Sequence, residues 1–378
     1  MADFQRWAPE ARKHFKKGPG LWVNLRLDPW LLVLLLAIMS FGLVILYSGS
    51  GASEAAVHKQ LVRYGLALLV MVIITQINLR NVQRWMPLLY IAGLLLLVAV
   101  LLFGVGAKGA QRWLAIPGLP RFQPSEIMKL VVPLTVSWYL ASRPRPPQLI
   151  HVTVAMVLVV VPVILIAKQP DLGTSLLIGS SGVFVIFFAG LFWRYLIAAM
   201  VVGAAGLPLL WAGMRDYQRQ RVTTFLDPEL DPLGAGWNII QSKIAIGSGG
   251  IDGKGWLQGT QSHLDFLPET HTDFIVAVLA EEFGLLGVLL LLALYFLVLL
   301  RGLVIAGYAS HPFDRMLASS LTLTFFVYVV VNIGMVSGLL PVVGVPLPLV
   351  SYGGTSAVTL MASIGLLMSI HARRPQRT

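Results

Sequence analysis

The chain has no cysteine, so thiolate nucleophiles, disulfides and cysteine metal sites are excluded, and any chemistry must rest on oxygen, nitrogen and carboxylate groups. The carboxylates that stand out are Asp273, where a long polar segment gives way to an apolar run, and Glu281 and Glu282 inside that run. On a helix advancing about 100° and about 1.5 Å per residue, Glu281 falls roughly 12 Å deeper than Asp273 and roughly 80° round, with Glu282 on the opposite side, so the three do not form one cluster. Position alone reads Asp273 as a helix N-terminal carboxylate, with Thr272 before it as a cap. Glu281 and Glu282 are harder to explain away, because ionisable groups inside an apolar span are costly and face a cavity or a partner. Glu126 and Lys129, three residues apart, share a helix face and can pair. Arg112, Arg121 and Lys129 supply positive charge that suits a pyrophosphate-bearing substrate, and a structural ion pair is the competing reading of Glu126 and Lys129. Between Gly234 and Gly259 stand eight glycines, which serve either tight turns or a close approach of backbone to an anionic or sugar ligand. A nucleotide-binding loop around Lys254 would need glycine at 248 and Ser or Thr at 255; the chain has Ser248 and Gly255, which excludes it. The seven histidines, His14, His58, His151, His263, His271, His311 and His371, show no metal-binding spacing. A divalent cation, Mg²⁺ or Mn²⁺, stays open, since Mg²⁺ needs only one or two carboxylates when a substrate brings phosphates.

The elements that must position these groups are membrane spans. Hydrophobic residues make up 57% of the chain and charged ones 12%, with a mean hydropathy of +0.79, and a water-soluble domain carries about twice that charge. The apolar residues come in long uniform blocks, which argues for helices and against a barrel. The blocks predict an all-α integral membrane protein with about ten transmembrane helices, near 30–48, 61–77, 86–106, 126–141, 150–167, 172–192, 195–213, 274–300, 316–339 and 346–370. The amino-terminal cations (Arg6, Arg12, Lys13, Lys16, Lys17, Arg26) precede any apolar run and lack a cleavage pattern, so a cytoplasmic tail and a retained first span are expected. Arg80 and Arg84, Arg143 and Arg145, Arg194, Arg301 and Arg315, and Arg373, Arg374 and Arg377 then fall on the same side, placing both termini in the cytoplasm. The net charge of +11 belongs to these flanks and calls for no nucleic acid. Domain organisation follows: a basic tail at 1–28, seven spans over 29–213, one large extracytoplasmic loop at 214–273, three spans over 274–371 and a basic tail at 372–378. Outside that loop, the pattern breaks at Lys108, Arg112 and Arg121 and in the Gly/Pro-rich link from Gly338 to Gly354. A loop as long as 214–273 is uncommon without a function.

Six runs carry a resemblance to a known family: KGAQRWL (Lys108–Leu114), RFQPSEIMK (Arg121–Lys129), QPDLGTS (Gln169–Ser175), DYQRQRV (Asp216–Val222), FLPETHTDFI (Phe266–Ile275) and NIGMVSGLLPVVGVPLPLVSYGGTS (Asn332–Ser356). In this order, over nearly the whole chain after the amino tail, they resemble the SEDS proteins of shape, elongation, division and sporulation. The stretch DPLGAGWNIIQSKIAIGSGG with GKGWLQGTQS is similar to the elongation branch more than the division branch. The resemblance implies a peptidoglycan glycosyltransferase of the bacterial inner membrane that polymerises lipid II, an undecaprenyl-pyrophosphoryl disaccharide-pentapeptide, beside a class B penicillin-binding protein and other elongation-complex membrane proteins. It implies a catalytic role for Asp273; were Asp273 only a helix cap, Glu126 or Asp265 would be the next candidate base. It also implies an outer-side polar group of Arg121, Gln123, Ser125, Glu126 and Lys129, beside which Arg112 is expected as a pyrophosphate contact from its charge. A lipid II flippase and a non-catalytic scaffold are the alternatives, and polar residues gathered at span ends, without a relay through the midplane, favour the enzyme.

Overall fold

The computed structural model describes residues 25–107, 110–115, 121–191, 193–214, 216–230, 235–263 and 270–373. Five of the amino-tail cations, Lys108, Asp265, Arg374 and Arg377 lie outside them. The chain opens with three helices, α1 (Pro29–Gly49), α2 (Glu54–Gln76) and α3 (Leu79–Phe103). Each begins on a side chain that accepts a backbone amide: Asp28 from Trp30 and Leu31, Ser53 from Ala56, Asn78 from Arg80. A short antiparallel hairpin of β1 (Val105–Ala107) and β2 (Ala110–Trp113) follows. The next helices are α4 (Pro124–Ala141), α5 (Leu149–Lys168), α6 (Leu172–Phe188) and α7 (Trp193–Gly213). The polar segment then folds into α8 (Asp216–Leu226), a 3-10 turn at Pro228–Leu230, α9 (Ala235–Gly249) and the short α10 (Thr260–His263). Last come α11 (Ile275–Gly307), α12 (Pro312–Val336) and α13 (Thr355–Ala372).

Seven of these helices, α1, α2, α3, α5, α11, α12 and α13, are long and apolar enough to cross a membrane. The other expected spans are helices too: α4, α6 and α7. Leu and Phe side chains such as Leu102 and Phe103 stand about 70% exposed or more, a surface that lipid, not water, accommodates. The protein is a multi-pass membrane protein. Where helices meet, small residues bring backbones together. A Cβ at Gly42 of α1 would come within 2.9 Å of the Leu349 carbonyl, and one at Gly365 of α13 within 2.7 Å of the Met71 carbonyl of α2. One core gathers α1, α2, α11, α12 and α13, and a second gathers α3 to α6.

Two segments depart from simple spans. The tenth expected span was to start near 346, but α13 starts at Thr355, because Pro346 and Pro348 cannot donate helical hydrogen bonds. Residues 337–354 instead form a strap, buried at Val345 and from Leu347 to Ser351, whose carbonyls are met by side chains: Tyr295 Oη donates to Pro348 O and Tyr64 Oη to Leu349 O, both at 2.6 Å. The second departure lies in α11, which breaks at Gly284 (φ 61, ψ −160), a conformation open essentially to glycine alone. Residues 250–255 fill the break. Lys254 N and Gly255 N donate to the carbonyls of Glu281 and Glu282, and Leu285 N and Leu286 N donate to those of Gly250 and Ile251, at 3.0–3.2 Å. The glycine-rich stretch therefore serves a close approach of backbone to backbone, and Gly236, Gly247 and Gly249 lie within α9.

Candidate active site

Pro124 opens α4, which sets Ser125, Glu126 and Lys129 in its first two turns. Lys129 Nζ donates to Glu126 Oε1 at 2.6 Å, and both side chains are buried. The ammonium also stands 5.4 Å from the centroid of the Tyr328 ring on α12, a cation–π arrangement that helps hold a charge away from water. The pairing foreseen from the three-residue spacing is present. Among the described residues, Glu126 Oε2 and Ser125 Oγ are buried without a hydrogen-bond partner.

The hairpin delivers Arg112 to the N-terminus of α6. Its guanidinium donates to the Pro170 carbonyl and lies 3.9 Å from Asp171 Oδ1. Gln123 Nε2 donates to Asp171 Oδ2 at 2.9 Å. Asp171 also caps α6 by accepting the Thr174 amide at 3.2 Å. Asp171 is the member of this group that reasoning from spacing passed over; its signal was an aspartate just before an apolar helix, the N-cap pattern. Arg121 is exposed, and no bond joins it to this cluster among the described residues.

Asp273 sits in the turn that leads into α11. Phe274 is the N-cap residue and no side chain caps it, so Thr272 does not play the capping role expected of it. The turn is instead held by its backbone. Asn332 Nδ2 donates to Asp273 O at 3.0 Å and to Val345 O at 2.8 Å, Ser351 Oγ donates to Thr272 O at 2.6 Å, and Tyr352 N donates to His271 O at 2.8 Å. The Asp273 side chain is half-buried, and a Cβ at Gly344 would stand 3.5 Å from its Oδ2. Glycine at 344 is called for by its backbone (φ 70), which lets the strap turn beside this carboxylate.

The strap unites the three groups. At 343–345 it packs against Gly173, two residues into α6, where a Cβ would meet Val343 O at 2.8 Å. The same residues abut Asp273 and accept from Asn332, which lies one turn, or about 6 Å, along α12 from Tyr328. An apolar cavity lined by Leu321, Phe325, Tyr328, Leu360 and Leu367 opens beside Lys129. The cavity lies among the helices below the Glu126–Lys129 pair, while the Arg112–Asp171 group and the half-buried Asp273 carboxylate both border the strap at residues 343–345.

Glu281 and Glu282 stand apart from Asp273, as expected, although Asp273 precedes α11 and does not share its helix. Glu281 accepts from Lys254 Nζ at 2.7 Å and from the amides of Thr260 and Gln261 at 2.8 and 3.0 Å, while Ser48 Oγ donates to Glu282 Oε1. Both secure the broken helix to its neighbours. Among the described residues no three His, Asp or Glu side chains converge in a metal-binding group.

Known proteins bear on this arrangement. Residues 29–376 match the family described as cell cycle protein, comprising FtsW, RodA and SpoVE. The chain is 55% identical over 354 residues to the peptidoglycan glycosyltransferase MrdB of Escherichia coli strain K12, covering 93% of this chain and 95% of that protein. It is 46% identical over 184 residues to the peptidoglycan glycosyltransferase RodA of Treponema pallidum, covering 48% of this chain and 42% of that protein. In a solved structure described as the structural coordination of polymerisation and crosslinking by a peptidoglycan synthase complex, one chain superposes with a TM-score of 0.81 at 34% identity, covering 92% of this chain and 98% of that one. The crystal structure of the rod shape determining protein RodA of Thermus thermophilus superposes with a TM-score of 0.70 at 32% identity, with the same coverage. By the match over residues 29–376, the identity to MrdB and the likeness to RodA, this chain belongs to the FtsW, RodA and SpoVE family, the SEDS proteins.

Proposed function

We infer that this chain is a peptidoglycan glycosyltransferase of the elongation type, which polymerises lipid II at the outer face of the bacterial inner membrane. The observation that carries the mechanism is the half-buried carboxylate of Asp273, held by the strap next to the residues that abut the Lys129 and Arg112 groups. Extending a strand requires the 4-hydroxyl of a GlcNAc to attack the anomeric carbon of a MurNAc whose leaving group is undecaprenyl pyrophosphate. An α-linked donor and a β-linked product mean inversion in one displacement, without a covalent enzyme intermediate. Asp273 takes the proton from the attacking hydroxyl as the new bond forms. Lys129 and Arg112, with Arg121 at the rim, neutralise the departing pyrophosphate. Gln123 holds Asp171 and, with Ser125 and Glu126, shapes the headgroup site. The unpartnered Glu126 Oε2 and Ser125 Oγ are the atoms through which substrate would enter this network. A divalent cation, if used, would arrive with the substrate phosphates and take one or two of these carboxylates.

In this reading there are ten spans, both termini are cytoplasmic, and the segment 214–273 is extracytoplasmic. The partner is a class B penicillin-binding protein whose single membrane helix packs on the apolar spans, beside other membrane proteins of the elongation complex. The deciding experiment is polymerisation of labelled lipid II by the purified protein in detergent. Glycan strands are expected; transport into vesicles without polymer would instead identify a flippase, and neither activity a scaffold.

A further inference from the structure

We propose that the cavity framed by Arg80, Arg84, His311 and Arg373, at the end of the bundle remote from Asp273, binds the headgroup of an anionic glycerophospholipid. Its place follows from α12. Asp314, in the first turn of that helix, lines the cavity, and Asn332, which holds the Asp273 turn, lies about 27 Å further along the same helix. The cavity measures about 510 Å³ and sits between the start of α3, the end of α4, the start of α12 and the end of α13. A second hollow of about 340 Å³, lined also by Arg26 and Asn78, shares Arg80, His311 and Arg373 with it.

Cations at one end of a membrane bundle are ordinary, because topology alone selects them. Topology does not require that they gather around one hollow. Here Asn78 Oδ1 accepts from the Arg80 amide and from Arg373 Nη2, both at 3.1 Å, and Arg80 Nη2 lies 3.5 Å from His311 Nε2. Arg84 lines the same cavity and joins no hydrogen bond or ion pair among the described residues. Of the carboxylates at this end among the described residues, Asp28 is taken by Arg301 at 2.6 Å, and Asp314 lies 4.0 Å from Arg373. The guanidiniums of Arg26, Arg80, Arg84 and Arg373 and the His311 imidazole thus share the Asp314 carboxylate between them, a surplus that a ligand of net negative charge relieves.

Two further observations select a phospholipid from among anions. The first is the apolar surface that continues the site. Trp138, Ala141, Pro312 and Phe313 floor the cavity, and on α3 the Arg80–Arg84 spacing runs on through Leu88, Ile91 and Leu95, each more than half exposed. Arginines that head a lipid-facing row can seat a phosphate while its acyl chains stay in the bilayer; a soluble anion has no use for the apolar part. The second is Asp314 itself, 3% exposed, whose Oδ1 has no hydrogen-bond partner among the described residues. A bare phosphate would be repelled by this oxygen. A headgroup hydroxyl would donate to it while the phosphate meets the arginines, and phosphatidylglycerol and cardiolipin carry both groups. The site stands independently of the chemistry proposed at Asp273.

The test titrates the full-length protein in detergent with phosphatidylglycerol, cardiolipin and, separately, phosphatidylethanolamine, and reads bound lipid by native mass spectrometry. Arg80→Gln with Arg84→Gln removes two exposed cations from the rim. Arg143→Gln with Arg145→Gln removes the same charge from exposed positions just beyond α4 that do not line the cavity. Each variant is checked for monodispersity. The rim pair is expected to weaken binding of both anionic lipids roughly tenfold or more and the control pair about twofold or less, with phosphatidylethanolamine bound more weakly than either by the unaltered protein. Equal losses in the two pairs would reduce the effect to general charge attraction and overturn the site. Phosphatidylethanolamine bound as tightly as phosphatidylglycerol would overturn the anionic assignment. Displacement of phosphatidylglycerol by inorganic phosphate at equal concentration would overturn the lipid as its source. None of these outcomes bears on the polymerase reading, which strand synthesis from lipid II tests separately.

Discussion

At the scale of single residues, the proposed chemistry divides between one carboxylate and one buried pair. Asp273→Asn keeps the shape and a hydrogen-bonding group but removes the proposed base, so polymerisation should fall by roughly a hundredfold or more. Asp273→Glu should retain part of the rate. Near-native strand synthesis by the Asn variant, with normal membrane insertion, would exclude a base at this position. The Glu126–Lys129 pair calls for a different design, because both charges are buried. Lys129→Ala strands the Glu126 carboxylate, and losing one partner of a buried pair typically costs about 3–5 kcal/mol. The double change Glu126→Gln with Lys129→Met removes both charges and should restore most of that stability. Thermal unfolding would register the recovery, whereas lipid II polymerisation should stay low in both variants. Recovery of activity together with stability would make the pair structural only. The pairing itself could be read from three-residue spacing. Asp171 could not, since the contact of Arg112 and Gln123 with it spans some fifty residues of chain and depends on a hairpin that the apolar pattern does not encode.

At the scale of elements, the break in α11 is the feature most open to test. Gly284 adopts a conformation that costs other residues about 1–3 kcal/mol, and a Cβ there would collide with the backbone of Ile251 and Gly253. Gly284→Ala should therefore lower the unfolding temperature more than Gly307→Ala, where a Cβ meets nothing within 4 Å. Equal shifts for the two would contradict the packing described for residues 250–255. The sequence was informative about elements wherever one physical rule dominated: long apolar runs marked the helices, although α2 and α3 start at Glu54 and Leu79, seven residues before the expected 61 and 86, on the polar caps Ser53 and Asn78. It was silent where two rules competed. Val345, Leu347, Leu349 and Val350 are as apolar as any span, yet they belong to the strap, because Pro346 and Pro348 deny them helical hydrogen bonds while Tyr64, Tyr295 and Ser351 supply others. Likewise the 214–273 segment is polar enough to read as loop, although α8, α9 and α10 lie within it.

At the scale of the whole molecule, charge is sorted to the ends of the bundle. Asp28 joins Arg301 at 2.6 Å, Arg80 meets His311, and Arg373 reaches Asn78 and lies 4.0 Å from Asp314. The opposite end holds Arg112, Asp171 and Asp273. If the first set faces the cytoplasm, as short-loop charge demands, a single cysteine at 145 in this cysteine-free chain should resist an impermeant thiol reagent on intact cells, and one at 240 should react. Labelling at 145 but not at 240 would invert the topology. The filled break in α11 also bears on how the molecule is made. A span interrupted at Gly284 presents bare peptide groups that hydrocarbon penalises by several kcal/mol each, and the residues that satisfy them, 250–255, leave the ribosome first. The preceding segment must therefore wait at the insertion machinery until α11 emerges, and the two must enter the bilayer as one unit, so that biogenesis joins residues 250–255 to the broken helix before either can settle alone.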